Sequence, residues 1–439
     1  MNLEKQAEVT AYLDAVCAHV RYREVHEQIQ LELLSHIESL VEEQVAEGES
    51  EQAAIQKALR QMGDAVVVGK QLHKTHQPRT EWGLFGLVAL IVSIGMLTIY
   101  SIQAQGLLGH FAALFQKSLL WLFIGTALAT CLYYYDYRKL KKHAGRIYGI
   151  VILVLVLSHF TGVQVNGKTF VSLGMVQIDF IGISPYLLTV ALAGLFCKWT
   201  WDTVGVAKAF GLLMLPLVIY YMNFDKGAFL LYLVAFFLLM TLSGAKRYQW
   251  LGMASAFGGF FALFLLSEPY RMKRMFTFLN PYADPKGAGW LHVQIHETIA
   301  SAGWWGQGFT FPAHWLPEVH TDMIFPYMVY TFGWVFGAIF LVTVLMLLYR
   351  MAATARVIKE PFGRNLIHGF TGIIGFGLLW NMLNGSGLAP GYYVALPFIS
   401  YGGSQLLINL VATGLVLGVF RRKDLIPSDG RPSLSPEKT

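Results

Sequence analysis

Charge is scarce in this chain. Only 14% of its 439 residues are Asp, Glu, Lys or Arg, whereas 55% are hydrophobic, and the mean hydropathy is +0.49. That composition excludes the soluble class. Cysteine is almost missing. Cys17, Cys131 and Cys197 are scattered and no two share a loop, which indicates neither a disulfide framework nor a thiolate metal site. The chain opens without an apolar core and with an acidic bias, so it does not read as a signal peptide. No usable internal repeat stands out, and the inverted-repeat signature of many transporters is not evident.

What the chain has in abundance is long apolar runs. Stretches of roughly 20 apolar residues, the length that crosses a bilayer, fall near 83–102, 118–135, 146–161, 184–199, 206–222, 227–243, 249–267, 323–349, 366–388 and 396–420. They predict an all-α polytopic membrane protein of about ten transmembrane helices. Lys and Arg concentrate in "YRKLKKHAGR" (137–146), "GAKRYQ" (244–249), Arg350 to Arg364 and "RRKD" (421–424), and these alternate with loops nearly free of them. Cytoplasmic loops retain positive charge, so both termini are expected in the cytoplasm and 268–322 becomes a long extracytoplasmic loop. Its Arg271, Lys273 and Arg274 break the charge rule. The exception suggests that something anionic is held there, with anchoring to lipid headgroups as the plain alternative.

Residues 1–70 are different in kind. They hold 13 acidic and 6 basic side chains, a net of −7, so the rest of the chain carries +13 of the overall +6. That split marks a domain boundary. Apolar residues at helical spacing from Ile29 to Val45, followed by Gly48 and Ser50 as a stop and a new N-cap, predict a bundle of two or three helices over 1–75. The expected order is that acidic bundle, a linker at 76–82, a membrane domain over 83–423 and a disordered polar tail over 424–439.

The candidate chemistry lies in the polar breaks between apolar runs. In "FTFLNPYADPKGAGW" (276–290), Pro281, Pro285, Gly287 and Gly289 prevent a regular helix and leave Asp284 in irregular backbone. Such backbone is tolerated near a membrane only where it meets water or lines a cavity. Asp before Pro is also ordinary turn chemistry. As a general base Asp284 would need a raised pKa, whereas Lys or Arg nearby would lower it and stabilise a phosphate leaving group. The sequence leaves that competition open. His292 and His296 share a helix face, but neither the HExxH nor the HxxEH order is present, and an amphipathic helix explains the pattern equally well. In "LPEVHTDMIF" (316–325), Thr321 or Asp322 is expected to cap the next helix, or Asp322 to face the same cavity as Asp284. "NFDKG" (223–227) is a tight turn that places Asp225 on the outer face. "LPFISYGGSQLLIN" (396–409) opens the last helix with Pro397, Gly402 and Gly403, small residues that also suit close helix packing.

Taken in order, these segments resemble the SEDS family (shape, elongation, division and sporulation), which includes RodA and FtsW. The family's loop pattern reads here as "FLNPYADPKGAGW", Gln294, "GWWGQG" (303–308) and "LPEVHTDMIF". Its closing pattern reads as Pro390 and "LPFISYGGSQ", and its P-D-x-G-T-A turn as "FDKGAF". The likeness runs from about 80 to 423. It implies a membrane glycosyltransferase that polymerises lipid II into peptidoglycan glycan strands, with Asp284 catalytic and undecaprenyl diphosphate leaving. Arg271, Lys273, Arg274, Gln294, His320, Asp322, Asp225, Ser400 and Ser404 become the substrate-binding candidates. A class B penicillin-binding protein becomes the expected partner in the bacterial cytoplasmic membrane, beside membrane lipids and an unidentified cytoplasmic partner of 1–75. Whether a divalent cation such as Mg2+ or Mn2+ is required stays open. The family's Arg and Q-P-S-E-x-x-K signature is replaced by "GKTFVSLGMVQIDFIGISPYLLTV" (167–190), its paired Glu by Tyr330 and Thr331, and its T-G by Tyr392 and Tyr393. Two alternatives follow: a scaffold for a penicillin-binding protein that has lost catalysis, and a flippase for a lipid-linked sugar. The helices carry almost none of the intramembrane charges a flippase path needs.

Overall fold

The computed structural model describes residues 6–105, 113–165, 168–174, 176–310 and 316–425. The tail beyond 425, expected to be disordered, lies outside the described residues. The chain divides into two compact units, residues 81–419 and a smaller one that joins residues 1–80 to the chain from Phe420 onward.

In the smaller unit the periodicity of 1–75 resolves into four helices, α1 (Ala7–Ala18), α2 (His26–Ala46), α3 (Glu51–Met62) and α4 (Ala65–Thr75). Gly48 turns the chain at φ +96° and Ser50 occupies the N-cap of α3, as the sequence indicates. Asp64 caps α4 by accepting the N–H groups of Val66 and Val67, a device that typically contributes about 1 kcal/mol. The apolar faces of α1, α2 and α3 close on Val9, Leu34, Ile37, Val41 and Ile55. A second cluster, Val16, Val20, Val25 and Ile29, takes in Leu425 from the other end of the chain, and His76 Nδ1 lies 2.8 Å from the Asp424 carbonyl.

In the larger unit a helix forms in each of the ten apolar runs. They are α5 (Trp82–Ala104), α6 (Leu114–Tyr134), α8 (Ala144–Thr161), α9 (Phe180–Phe196), α10 (Thr203–Met222), α11 (Lys226–Leu242), α12 (Arg247–Leu266), α15 (Ile324–Arg356), α16 (Pro361–Gly385) and α17 (Gly403–Arg421). Among the described residues, seven of them, α5, α6, α8, α10, α15, α16 and α17, are long and apolar enough to cross a membrane, and α9 and α11 are apolar helices of 17 residues. Shorter elements lie between them: α7 (Arg138–Lys142), α13 (Pro269–Phe276), α14 (Trp290–Ser301) and a meander of β1 (Val163–Val165), β2 (Lys168–Leu173) and β3 (Val176–Ile178). Its strands pair antiparallel in that order, with Gln164 opposite Thr169 and Ser172 opposite Gln177. Helical periodicity gave no sign of this sheet.

Asp side chains start three helices of the bundle. Asp179, Asp202 and Asp225 each accept the N–H three residues on, at 2.8 Å, and so cap α9, α10 and α11. Two prolines inside helices remove a backbone donor, and side chains repair the loss. Pro216 orphans the Leu212 carbonyl, which takes hydroxyls from Tyr148 at 2.9 Å and Tyr232 at 2.7 Å. Pro185 orphans that of Ile181, which takes the Ser184 hydroxyl at 2.7 Å.

α15 is broken at Gly333, where φ is +90°. The break frees the carbonyls of Tyr330 and Thr331 and the N–H groups of Trp334 and Val335. "GWWGQG" takes all four: Gln307 and Gly308 donate to the carbonyls at 2.9 and 3.1 Å, and Gly303 and Trp304 accept from the N–H groups at 3.1 and 3.2 Å. A Cβ on Gly306 or Gly333 would run into the facing backbone. The segment after the break, 334–356, is about 34 Å long at 1.5 Å per residue and spans a bilayer core of roughly 30 Å by itself.

Candidate active site

Asp284 sits in a turn built to expose its carboxylate. Two single-turn 3-10 segments, Thr277–Leu279 and Pro281–Ala283, lead into it, and its carbonyl accepts the N–H groups of Gly287 at 3.2 Å and Gly289 at 3.0 Å. The carboxylate folds back over Gly287, where a Cβ would lie 2.5 Å from Oδ1 and 2.6 Å from Oδ2. A Cβ on Gly289 would overlap the Pro281 carbonyl. The two glycines of D-P-K-G-A-G are therefore steric requirements of the carboxylate's position.

Of the three cations on α13, Lys273 is the one that meets Asp284, with its Nζ 2.8 Å from Oδ2. The Ala288 N–H donates to the same oxygen at 3.3 Å. The Lys273 hydrogen bond, aided by that N–H, holds the Asp284 carboxyl below the usual carboxylate range. This answers the competition left open by the sequence: the cation prevails over any desolvation. Arg271 donates to Ser267 Oγ at 2.6 Å. Burial pushes the Tyr392 and Tyr393 hydroxyls up in pKa, with the Arg274 charge opposing it.

A second group of charges gathers where α9, α11 and α15 begin. The "LPEVHTD" turn docks on "LPFISYGG": the Ser400 hydroxyl donates to the Thr321 carbonyl at 2.7 Å and accepts the Leu396 N–H at 2.8 Å. The Tyr401 N–H reaches the His320 carbonyl at 2.8 Å, and Asn381 donates to the carbonyls of Asp322 and Val394 at 3.3 and 2.7 Å. Ser404 accepts the Asp179 N–H at 3.1 Å. Three non-glycine residues among those described have positive φ, Phe224 at +56°, Glu318 at +49° and Phe398 at +68°. Each lies in one of the three turns that carry these motifs, and strain of this kind, about 1–3 kcal/mol per residue, tends to persist at functional sites.

Lys168, on β2, brings a cation to this group. Lys168 is exposed, and although partial desolvation opposes its charge, Asp322, Asp225, Asp179 and Glu318 outweigh that cost and raise its pKa. Asp322 is raised by burial, with Glu318 and Asp225 adding to it and Lys168 opposing. Asp179 is pushed up to about 6 by burial and the Asp225 carboxylate. Burial lowers His320, partly offset by Glu318 and Asp322. Burial raises the Tyr393 hydroxyl, with Asp322 adding to it and Arg274 opposing.

The expected site residues thus divide. Asp284 with Lys273, and Asp322, Asp225, His320, Ser400 and Ser404, fall into these two groups. Gln294 is half-buried on α14, and among the described residues its side chain makes no hydrogen bond. Neither Thr321 nor Asp322 caps α15, whose N-cap is Met323; Thr321 bonds instead to Glu318. Lys168 and Asp179 were missed by sequence reasoning. Their signal is a single cation and a single acid just before the α9 run, in the stretch that stands where the family's own charges are missing. His292 is buried, and its Nε2 lies 3.3 Å from the Ala389 carbonyl. No group of three His, Cys, Asp or Glu among the described residues is placed to hold a metal ion. Asp284 offers one carboxylate already paired with an ammonium, a donor set that does not suit a resident divalent cation.

A bundle of apolar helices in which the Asp-capped starts of α9 and α11 meet a strained, charged site defines a multi-pass membrane protein with a polar centre at one end of its helices. The chain belongs to the FtsW/RodA/SpoVE family of cell cycle proteins, which it matches over residues 81–424. It is 29% identical over 374 residues to a probable peptidoglycan glycosyltransferase FtsW of Thioalkalivibrio sulfidiphilus, covering 80% of this chain and 92% of that protein. A counterpart from Trichlorobacter lovleyi is 26% identical, over 79% and 94%. Among solved structures, a chain of a peptidoglycan synthase complex that coordinates polymerization and crosslinking superposes with a TM-score of 0.65 at 28% identity, over 78% of this chain and 98% of that one. The rod shape determining protein RodA of Thermus thermophilus superposes with a TM-score of 0.59 at 26% identity, over 78% and 97%.

Proposed function

We propose that this protein is a peptidoglycan glycosyltransferase that polymerises lipid II in bacterial cell-wall synthesis. The observation that carries the reading is the Asp284 carboxylate, fixed over Gly287 and paired with Lys273 in the family's loop. In the reaction the 4-hydroxyl of an acceptor GlcNAc attacks C1 of the donor MurNAc. The new C4–O–C1 linkage forms as the bond from C1 to undecaprenyl diphosphate breaks, and the diphosphate leaves with the electron pair. Asp284, ionised throughout the neutral range, accepts the hydroxyl's hydrogen bond and then its proton as the oxygen loses basicity in bonding. Lys273, shared with that carboxylate, is the nearest cation for the diphosphate. Lys168, among its four acids, is a second cation that faces a sugar or phosphate, with Asp322, Asp225, His320, Ser400 and Ser404 shaping the cavity around it.

The reaction face is the extracytoplasmic one and both termini are cytoplasmic. The basic residues from Arg138 to Arg146 and from Arg350 to Arg364 support that orientation. A class B penicillin-binding protein crosslinks the product, and residues 1–75 regulate the enzyme or bind a partner. Deleting 1–75 should alter localisation or complementation; no change in either would refute that role. The purified wild type and Asp284→Ala, with and without the penicillin-binding protein, are to be incubated with lipid II and glycan length followed on a gel. Polymer from the wild type alone supports the enzyme. No polymer from either, with folding and partner binding intact, supports the scaffold instead.

A further inference from the structure

The opposite end of the bundle carries a second feature that the polymerase reading does not use. An open groove of about 650 Å³, within the size range of small-molecule sites, runs between the start of α8, the end of α9 and the start of α10. Gly145, Tyr148, Trp199, Lys208, Gly211 and Leu215 are among its walls. Nearly all of that lining is apolar. Gly145 and Gly211 leave it open: a Cβ added at either meets nothing within 4 Å. Leu215 is 47% exposed and continues the groove into the lipid-facing surface of α10. Two polar groups stand out in that lining. Lys208 is exposed and pairs with no acid among the described residues. The Trp199 indole N–H is hidden from solvent without an acceptor, and a buried donor of that kind calls for one.

We propose that this groove binds one anionic phospholipid, with an acyl chain along the glycine-floored channel and the phosphate held by the Lys208 ammonium and the Trp199 N–H. Charge selects the occupant. Lys142, Arg146 and Lys198 crowd the same end of α8 and α9, so an anionic headgroup meets several cations there, whereas a zwitterionic one gains less. The groove is distinct from the reaction site, because α9 alone, 17 residues from Phe180 to Phe196, puts about 26 Å between Asp179 and this end.

The test is native mass spectrometry of the full-length, delipidated protein in detergent, titrated with phosphatidylglycerol, phosphatidylcholine or undecaprenyl phosphate. The wild type should retain one phosphatidylglycerol at concentrations where neither of the others stays bound. Lys208→Gln should weaken retention about fivefold, as for one cation near a headgroup. Gly211→Leu, which fills open space, should abolish it with the melting temperature unchanged. Should Gly211→Leu fail to fold, Gly145→Leu blocks the facing wall and reads the same effect. Equal retention of phosphatidylglycerol by the groove-filling variant and the wild type would overturn the proposal. So would equal retention of phosphatidylcholine, and preferential retention of undecaprenyl phosphate would assign the groove to the lipid carrier instead.

Discussion

Gly287→Ala is the sharpest perturbation of the Asp284 turn, since it leaves every charged group in place. Gly287 has no left-handed backbone angle, so alanine is tolerated by the chain itself. The added Cβ would lie 2.5 Å from Asp284 Oδ1, where ordinary contact begins near 3.4 Å. The carboxylate must therefore retreat by about 0.9 Å, losing the Ala288 N–H and loosening the Lys273 pair. A misplacement of about 1 Å typically costs on the order of 10²-fold in rate. Gly287 is exposed, so little stability is at stake. In a lipid II polymerisation assay Gly287→Ala should be about a hundredfold slower than the wild type with an unchanged melting temperature. A rate within about twofold of the wild type would show that the position of this carboxylate does not matter to the reaction.

Other consequences reach the rest of the structure. Ser400→Ala strands the Leu396 N–H and the Thr321 carbonyl, and thermal unfolding should show a loss of about 1–3 kcal/mol. Gly333→Ala drives a methyl group into the Trp304 backbone at a positive φ; strain alone costs about 1–3 kcal/mol, and the yield of folded protein should fall accordingly. Asp179→Asn keeps an N-cap for α9 but removes a carboxyl whose pKa is raised to about 6. Because the folded state holds that proton more tightly than the unfolded one, the wild type loses stability as pH rises from about 4 to about 6, and the variant does not. The melting-temperature advantage of Asp179→Asn should grow over that window and stay level above it.

Much of this architecture is legible in the sequence, because bilayer-length apolar runs admit little but helices. The irregular parts are less so. Three cations within four residues of α13 look equivalent in sequence, and only the helix turn decides that Lys273, and not Arg271 or Arg274, meets Asp284. The break in α15 is invisible to hydropathy, since 323–349 is one apolar run; its trace is the glycine spacing of "GWWGQG" together with Gly333, which make sense only as facing backbones. Lys168 and Asp179 sit on and beside a short meander whose strands are too brief for a period-2 signal. The apolar run at 396–420 predicts helix throughout, yet 396–402 is irregular, held by Ser400 to the turn before α15.

The central claim is that Asp284 carries glycan polymerisation. It is tested most directly by comparing purified wild type with Asp284→Asn, which keeps the size of the side chain and removes its charge, in the rate of polymer formation from lipid II. Robust polymer from the wild type and a loss of at least about 10²-fold in the variant, in the range expected for a lost catalytic base, is the predicted result. Polymerisation by Asp284→Asn at the wild-type rate would contradict the account.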